Sequence, residues 1–177
     1  MTGSMAAVQV GEVRQLDFGE LVRAHQSMVF SLAYHFLHDR DLAEEVSQDV
    51  FLSLHRNLAR IQSDGHAGFW LRKVAVQRSI DEARRRKRRP QVALDSVAEP
   101  SVNTAPADPL LNEVLRRLVA TLPEAPRAVM ILRFQEDLDP GEIAAILEMP
   151  LGTVKSHLQR SLALLREKLE RRGLGEI

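Results

Sequence analysis

The chain has 177 residues, of which 45% are hydrophobic and 27% are charged, so it can bury the core of one ordinary domain or two small ones. It contains no cysteine, which excludes disulfides, thiolate metal sites and cysteine nucleophiles. No apolar run approaches the roughly 18 residues that span a bilayer. The N-terminal segment also lacks the pattern of a secretory signal. We therefore expect a cytoplasmic protein without membrane insertion.

The formal net charge is zero, but the charges are unevenly distributed along the chain. Residues 1–89 carry 14 basic and 11 acidic residues, whereas residues 90–108 carry three acidic residues and no basic one. Residues 151–172 hold six basic and two acidic residues. Two basic stretches in a neutral chain are compatible with nucleic-acid binding, because DNA affinity depends on local neutralisation of phosphates.

The first half of the chain predicts three helices. Apolar residues recur at helical spacing over residues 17–36, 42–60 and 67–89. Asp39 or Asp41 can cap the second helix. Residues 62–66 are typical of a loop, and Pro90 ends the third helix. This helix finishes in six consecutive basic residues, Arg84–Arg89, which are typical of a segment that binds a polyanion, although a helix C-terminus also favours basic residues.

Residues 90–108 are typical of a linker, since they contain three prolines and three carboxylates without apolar periodicity. A second helical unit follows, with helices beginning near Pro109 and after Pro123. Strand-type alternation is nearly absent. The predicted fold is therefore all-α, with two small helical domains, residues 17–89 and 109–172, joined by a flexible linker.

The segment 139–172 predicts a helix-turn-helix. Asp139, Pro140 and Glu142 supply an N-cap acceptor, a proline at the first helical position and a carboxylate at the third. After a break at 148–151, a second helix begins at Gly152-Thr153. Its apolar stripe consists of Val154, Leu158, Ser161/Leu162, Leu165 and Leu169. The opposite face is polar and consists of Lys155, Ser156, Gln159 and Arg160. This geometry suits a DNA major groove, although a helical hairpin with a solvated face has the same pattern.

Four sequence blocks carry a resemblance to a known family. They are DLAEEVSQDVFL at 41–52, FWLRKVAVQRSIDEARRR at 69–86, EIAAIL at 142–147 and PLGTVKS at 150–156. In this order, with a linker between them, they resemble bacterial RNA polymerase sigma factors of the extracytoplasmic-function (ECF) type. The resemblance implies a transcription initiation factor that has no catalytic residues or cofactor of its own. Its first domain would bind polymerase and read and melt the −10 element, and its second would read the −35 element.

The resemblance also implies partners and the residues that contact them. The expected partners are core RNA polymerase, through the clamp helices of its largest subunit and its flap region, promoter DNA and an anti-sigma factor. The polymerase-binding candidates are Glu44, Glu45, Gln48, Asp49 and Phe51. The −10 candidates are Arg72, Lys73, Gln77, Arg78, Arg84, Arg85 and Arg88. The −35 candidates are Thr153, Lys155, Ser156, His157, Gln159 and Arg160.

The chemistry of these side chains fits their expected roles. Arg and Lys donate to guanine O6 and N7, and Gln pairs with adenine N6 and N7. The loop 61–68 is the expected site for an extruded −10 base, while Phe69 and Trp70 either stack on an unpaired base or pack in the core.

Three residues depart from the family pattern. Gln77 stands where Asn is common, and His157 stands where a second basic residue is usual. Glu148 replaces a small or polar turn residue.

Two other functions remain open at this point. A stand-alone helix-turn-helix regulator would need neither the 41–52 block nor the basic helix at 69–89. A metal-dependent helical-bundle enzyme is suggested only by the six histidines, because no metal-binding motif accompanies them.

Overall fold

The computed structural model describes residues 16–88 and 109–173, which we call the first and second units. The first unit contains α1 (Phe18–Leu37), α2 (Arg40–Asn57) and α3 (Asp64–Arg88), with a 3-10 turn, Leu58–Arg60, after α2. The second unit contains α4 (Pro109–Ala120), α5 (Glu124–Phe134), α6 (Pro140–Leu147) and α7 (Leu151–Glu170). Neither unit contains a strand, which confirms the all-α prediction. The predicted linker, 90–108, lies outside the described residues.

Aspartate side chains begin the first two helices. Oδ1 of Asp17 accepts from the backbone N–H of Glu20 at 2.8 Å, and Oδ1 of Asp39 accepts from that of Leu42 at 3.1 Å. Each bond satisfies a backbone donor that has no partner within its helix. Between the helices, His38 adopts a left-handed backbone (φ 53°) and ends α1. The chain therefore reverses within two residues, which places α1 and α2 side by side.

The core of the first unit lies between its three long helices. Its largest fully buried side chains include Val29, Leu32, Phe36, Val50, Leu54 and Leu71. Of the apolar residues that recur at helical spacing in the predicted second helix, Val46, Val50 and Leu54 are buried in α2. The interior is therefore filled by apolar side chains, while the outer face of α2 remains exposed.

α3 begins three residues earlier than predicted. Ser63 provides the missing start signal, because its hydroxyl accepts from the N–H of His66 at 3.1 Å and its carbonyl accepts from Ala67 at 2.9 Å. Residues 64–66, expected in a loop, are helical. Only residues 61–63 of the expected base-capturing loop lie outside a helix, and Ile61 is buried.

In the second unit, α7 packs on α5, α6 and α4. Val154, Ser161 and Leu165 point inward from α7, whereas Leu162 is 43% exposed. Of the two residues considered for the middle of the stripe, Ser161 is thus the buried one. The small side chain of Ser161 allows α7 to lie close to the helices it packs against.

The two units are in direct contact and share one continuous hydrophobic core. α1 packs against α5, and α3 packs against α6. Arg127 of α5 is buried at this contact, where Nη1 donates to the carbonyl oxygen of Phe36 at 3.3 Å and the guanidinium lies 5.3 Å from the centre of the Phe36 ring. The helical periodicity of the sequence does not predict this contact.

Candidate nucleic-acid and polymerase interfaces

The helix-turn-helix begins with the predicted capping box. Oδ1 of Asp139 accepts from the N–H of Gly141 at 2.6 Å and of Glu142 at 2.9 Å. In return, Oε2 of Glu142 accepts from the N–H of Asp139 at 2.8 Å. α6 ends at Glu148, whose backbone is left-handed (φ 52°), and α7 begins after Pro150. Both predicted helices and the turn between them are therefore present.

The polar face of α7 points away from the core. Thr153, Lys155, Gln159 and Arg160 are exposed, while Ser156 and His157 are half-buried. Because Val154 and Ser161 hold the opposite face inward, the exposed side chains lie on one continuous side of the helix. This arrangement presents both cationic and amide donors to a partner, as major-groove recognition requires.

The seven −10 candidates on α3 do not share one face. Arg72, Lys73 and Arg84 face the second unit, where each contacts a carboxylate. Gln77 is exposed and lines a cavity of about 340 Å³ between α3 and the second unit. Arg88 is exposed at the end of the helix.

The other two candidates contact the first unit itself. Arg78 points toward α2, where Nη1 donates to Oδ2 of Asp49 at 3.1 Å and Nη2 donates to Oγ of Ser53 at 2.6 Å. Arg85 contacts Glu82 on its own helix. Arg78 is thus held against α2, away from the candidates that face the second unit.

The polymerase-binding candidates lie on the outer face of α2. Glu44, Glu45, Gln48 and Asp49 are exposed, and Phe51 is half-buried. Phe51 lines a surface groove between α1 and α2, together with Phe18, Val22, Phe30 and Leu52, and with Glu44 and Gln48 at its edge. The combination of apolar floor and acidic edge suits a partner that carries both apolar and basic side chains.

Sequence reasoning missed two residues of this groove. Leu52 is 55% exposed, and Phe30 lies on the groove side of α1. Leu52 could have been found, because it is an apolar residue off the buried stripe of Val46, Val50 and Leu54. Phe30 could not, since it continues the apolar period of α1.

The two aromatic residues of α3 have different surroundings. Trp70 packs against the core, whereas Phe69 is 37% exposed. The core-packing alternative therefore describes Trp70, and Phe69 remains accessible to a base.

The histidines do not form a metal site within residues 16–88 and 109–173. No group of three or more His, Asp or Glu side chains in these segments could hold a metal ion. Among the same residues, no helix is long and apolar enough to cross a membrane.

Comparison with known families matches both units. The Sigma-70 region 2 family matches residues 21–89, and the Sigma-70 region 4 family matches residues 112–165. The RNA polymerase sigma-E factor of Streptomyces avermitilis is 32% identical, over 93% of this chain and 90% of that protein. The chain belongs to the ECF subfamily of sigma-70 factors.

Other relatives agree with this assignment. The sigma-E factor of Streptomyces coelicolor is 31% identical, over 93% of this chain and 92% of its own length. The ECF sigma factor SigW of Bacillus subtilis is 26% identical, over 91% and 93%. The protein is therefore an RNA polymerase sigma factor, and the stand-alone regulator is not favoured. Sigma factors are transcription initiation factors rather than enzymes.

Solved structures share the fold. The sigma factor RpoE of Bartonella quintana, crystallised with the anti-sigma factor NepR, matches with a TM-score of 0.69 at 19% identity, covering 87% of this chain and 97% of that one. CnrH, solved with the cytosolic domain of CnrY, matches with a TM-score of 0.63 at 19% identity, covering 87% and 88%.

Proposed function

We propose that this ECF sigma factor reads the −35 element with α7. The exposed side of α7 carries this proposal, because it combines Lys155, Gln159 and Arg160 on a helix whose opposite face is fixed in the core. Arg160 and Lys155 are suited to guanine, and Gln159 is suited to adenine. Thr153 and Ser156, near the start of the helix, are suited to phosphate. His157 is half-buried beside them and borders the same surface.

The proposed reader of the −10 element is α3. Gln77 lies at its centre and can read a base edge, with Arg72 and Lys73 one turn before it. Arg84, Arg85 and Arg88 extend the helix as a basic end suited to phosphates. Their proposed role does not depend on the base sequence, because each would neutralise a phosphate and displace a counterion from the DNA rather than contact a base.

The proposed site for core RNA polymerase is the α2 face that borders the groove. Phe51 and Leu52 supply apolar contacts, and Glu44, Glu45, Gln48 and Asp49 supply a polar, acidic edge. This chemistry suits the clamp helices of the largest subunit. The second unit would contact the flap region of the polymerase.

We also propose an anti-sigma partner and a cytoplasmic location. The solved sigma factor RpoE of similar fold is bound to an anti-sigma factor, which supports such a partner here. Transcription takes place in the bacterial cytoplasm, which supports the location.

The test is transcription with purified core polymerase on a library of genomic fragments, followed by mapping of start sites. We expect starts preceded by a common pair of elements about ten and thirty-five base pairs upstream, the positions that the sigma-factor family implies. Core-dependent starts without any common upstream element would contradict the assignment of α3 and α7. Specific DNA binding that does not require core polymerase would favour a stand-alone regulator.

A further inference from the structure

A histidine of α1 interrupts the apolar stripe that this helix turns toward the core of the first unit. His25 lies four residues after Leu21 and four before Val29, both of which are buried. The side chain of His25 is itself only 15% exposed. A polar group with so little access to water destabilises the fold unless it makes a hydrogen bond. The partner of His25 therefore shows what a histidine at this position does.

That partner is the first residue of α3. Nε2 of His25 lies 3.1 Å from Oδ1 of Asp64, whose side chain is 68% exposed. Because a carboxylate only accepts, the imidazole donates in this hydrogen bond. The two residues lie 39 positions apart in the chain, so the bond connects the first half of α1 to the start of α3.

The other side-chain hydrogen bonds around the start of α3 are local. The hydroxyl of Ser63 accepts from the N–H of His66 at 3.1 Å, and Nδ1 of His66 accepts from the N–H of Gln62 at 3.3 Å. Such bonds shape the turn but do not orient it against α1. Ala67 is fully buried, which holds the turn against the core, but apolar burial has no preferred direction. The bond from His25 therefore supplies the direction in which the first turn of α3 points.

Gly68 brings the same imidazole next to a proposed −10 contact. A Cβ atom at Gly68 would lie 3.3 Å from Cε1 of His25 and 3.3 Å from Nη1 of Arg72. Both separations are shorter than the ordinary van der Waals contacts of a Cβ atom, so a larger residue would displace the imidazole, the guanidinium or both. The missing side chain thus allows His25 and Arg72 to pack on the same turn of α3.

We propose that His25 is a positioning residue for promoter reading. It holds the first turn of α3, and the guanidinium of Arg72 beside it, in the orientation from which this helix reads the −10 element. His25 acts through Asp64 and across Gly68, so only bases read from the N-terminal part of α3 should respond to it. The inference rests on the proposed assignment of α3 to the −10 element.

The first test compares base discrimination by holoenzymes reconstituted with variants of His25. His25→Leu keeps an apolar side chain on the stripe but removes the donor, whereas His25→Gln keeps a donor. The probes are derivatives of the promoter that the library experiment identifies, each with one base of the −10 or −35 element changed. The measured quantity is the ratio of affinities for the original and the changed promoter.

We expect His25→Leu to lower this ratio by roughly fivefold at one or two −10 positions, because a well-aligned base contact discriminates by about that factor or more. His25→Gln should retain most of the discrimination, and ratios at −35 positions should not change in either variant. A merely structural role predicts instead that affinities for all promoters fall together. Such a uniform fall, or unchanged −10 ratios with His25→Leu at wild-type helical content, would overturn the proposal. If the wild-type holoenzyme does not discriminate at −10 positions, the proposed function of α3 is wrong instead.

The acceptor of the bond provides a matched pair of variants. Asp64→Ala should lower the same −10 ratios as His25→Leu, and combining the two changes should lower them no further. Asp41→Ala is the control, because Asp41 is an exposed carboxylate in the first turn of α2 and has the same favourable position relative to a helix dipole. An equal fall with Asp41→Ala would assign the effect to the lost charge and overturn the role of His25.

The second test uses two glycines in the first turns of α3. Gly68→Ala places a methyl group against His25 and Arg72, whereas at Gly65 a Cβ atom would lie 4.0 Å from Oγ of Ser63. We expect Gly68→Ala to lower discrimination at the same −10 positions as His25→Leu, and Gly65→Ala to leave it unchanged. Equal effects of the two alanines, or no effect of Gly68→Ala, would contradict the proposed positioning.

Discussion

Arg127 shows how a single buried side chain supports the contact between the two units. Its guanidinium donates to the carbonyl oxygens of Phe36, Ala120 and Leu122, so it connects the end of α1 to the turn between α4 and α5. Burial lowers its pKa from the usual value, an effect that Glu124 partly opposes. The positive charge also lies at the C-terminus of α1, where the helix dipole favours a cation.

We expect Arg127→Met to reduce the free energy of unfolding by about 2–4 kcal/mol, because three carbonyl groups lose a charged donor. Urea denaturation followed by circular dichroism measures this loss. Arg171→Met is the matched control, since Arg171 is 74% exposed and contacts only its neighbour Glu167, so its effect should stay below about 0.5 kcal/mol. Equal losses in the two variants would contradict the role assigned to Arg127.

His35 makes the contact between the units sensitive to acid. Burial, with His38 and Arg116 nearby, lowers the pKa of His35 to about 4, and burial also lowers that of His38, with Arg127 and Arg116 adding to the effect and Glu113 opposing it. Nε2 of Gln135 lies 2.8 Å from Nε2 of His35. Because an amide nitrogen only donates, this contact requires the neutral imidazole.

The pH dependence of stability follows from these pKa values. As the pH falls below the ordinary value of about 6.5, the unfolded chain binds a proton at His35 before the folded chain does. Stability is therefore fully present above pH 6.5 and is lost as the pH falls toward 4. Between pH 7.5 and 5.5 we expect this histidine to account for a loss of about 1 kcal/mol. Urea denaturation of the wild type and His35→Gln at both values should show that the variant loses less; equal losses would rule out His35 as the cause.

At the scale of single helices, most of the architecture could be predicted because its causes are local. The apolar stripe of α2, the capping box of α6 and the buried stripe of α7 all depend on residues within a few turns of one another. The structure differs from the prediction where the local signal is weak. The cap at Ser63 has no sequence pattern that distinguishes it from the rest of the loop, and the burial of Ser161 rather than Leu162 depends on the position of the neighbouring helices.

α2 and α3 share a pair that couples the two proposed interfaces of the first unit. Arg78 was expected to contact DNA and Asp49 to contact polymerase, yet the two side chains bind each other. A partner that binds the carboxylate of Asp49 would therefore break one of the two hydrogen bonds that Arg78 makes to α2. Ser53 retains the other bond and keeps Arg78 beside α2.

We expect Asp49→Ala to weaken binding of core polymerase and also to change −10 affinity, because Arg78 loses an anchor. Arg78→Ala alone should leave core binding nearly unchanged. Binding of both variants and the double variant to core polymerase and to −10 DNA gives a double-mutant cycle, in which coupling should appear for DNA and be about 0.5 kcal/mol or more. Glu45→Ala, on the same face without a bond to Arg78, is the control and should show no coupling to Arg78→Ala.

α7 and the end of α3 should respond differently to the loss of a basic residue. Arg160→Ala should relax preference at one −35 position, at about 1–3 kcal/mol for a bidentate base contact. Neutralising Arg84, Arg85 and Arg88 should instead weaken binding to many −10 sequences alike and reduce the salt dependence, by up to about 0.7 log units per contact with single-stranded DNA. The affinity of each variant holoenzyme for a set of promoter variants, measured across a salt series, distinguishes the two effects. Uniform weakening by Arg160→Ala would mean that it contacts phosphate rather than a base.

For the whole molecule, the sequence predicts the two units but not their association. The contact depends on pairs such as Lys73 with Glu148, which lie 75 residues apart and have no periodicity that connects them. In the sequence, Glu148 stands out only as a departure from a family pattern. Its partner, Lys73, lies on α3, which only the tertiary fold brings against α6.

The hydrophobic core that the two units share predicts how the chain unfolds. Trp70, the only tryptophan, reports on the first unit, and a dye on Glu170→Cys would report on the second. When the interface between the units is unchanged, the two probes should report the same midpoint of urea denaturation, because the core is continuous across the units. Glu124→Gln, Glu136→Gln and Glu148→Gln combined remove ion pairs with Arg84, Arg72 and Lys73 but no apolar contact, so the shared midpoint should fall without splitting while the apolar core still joins the units. Separate midpoints in the wild type would mean that the contact adds little to stability, whereas separate midpoints in the glutamine variant would place the coupling in the ion pairs.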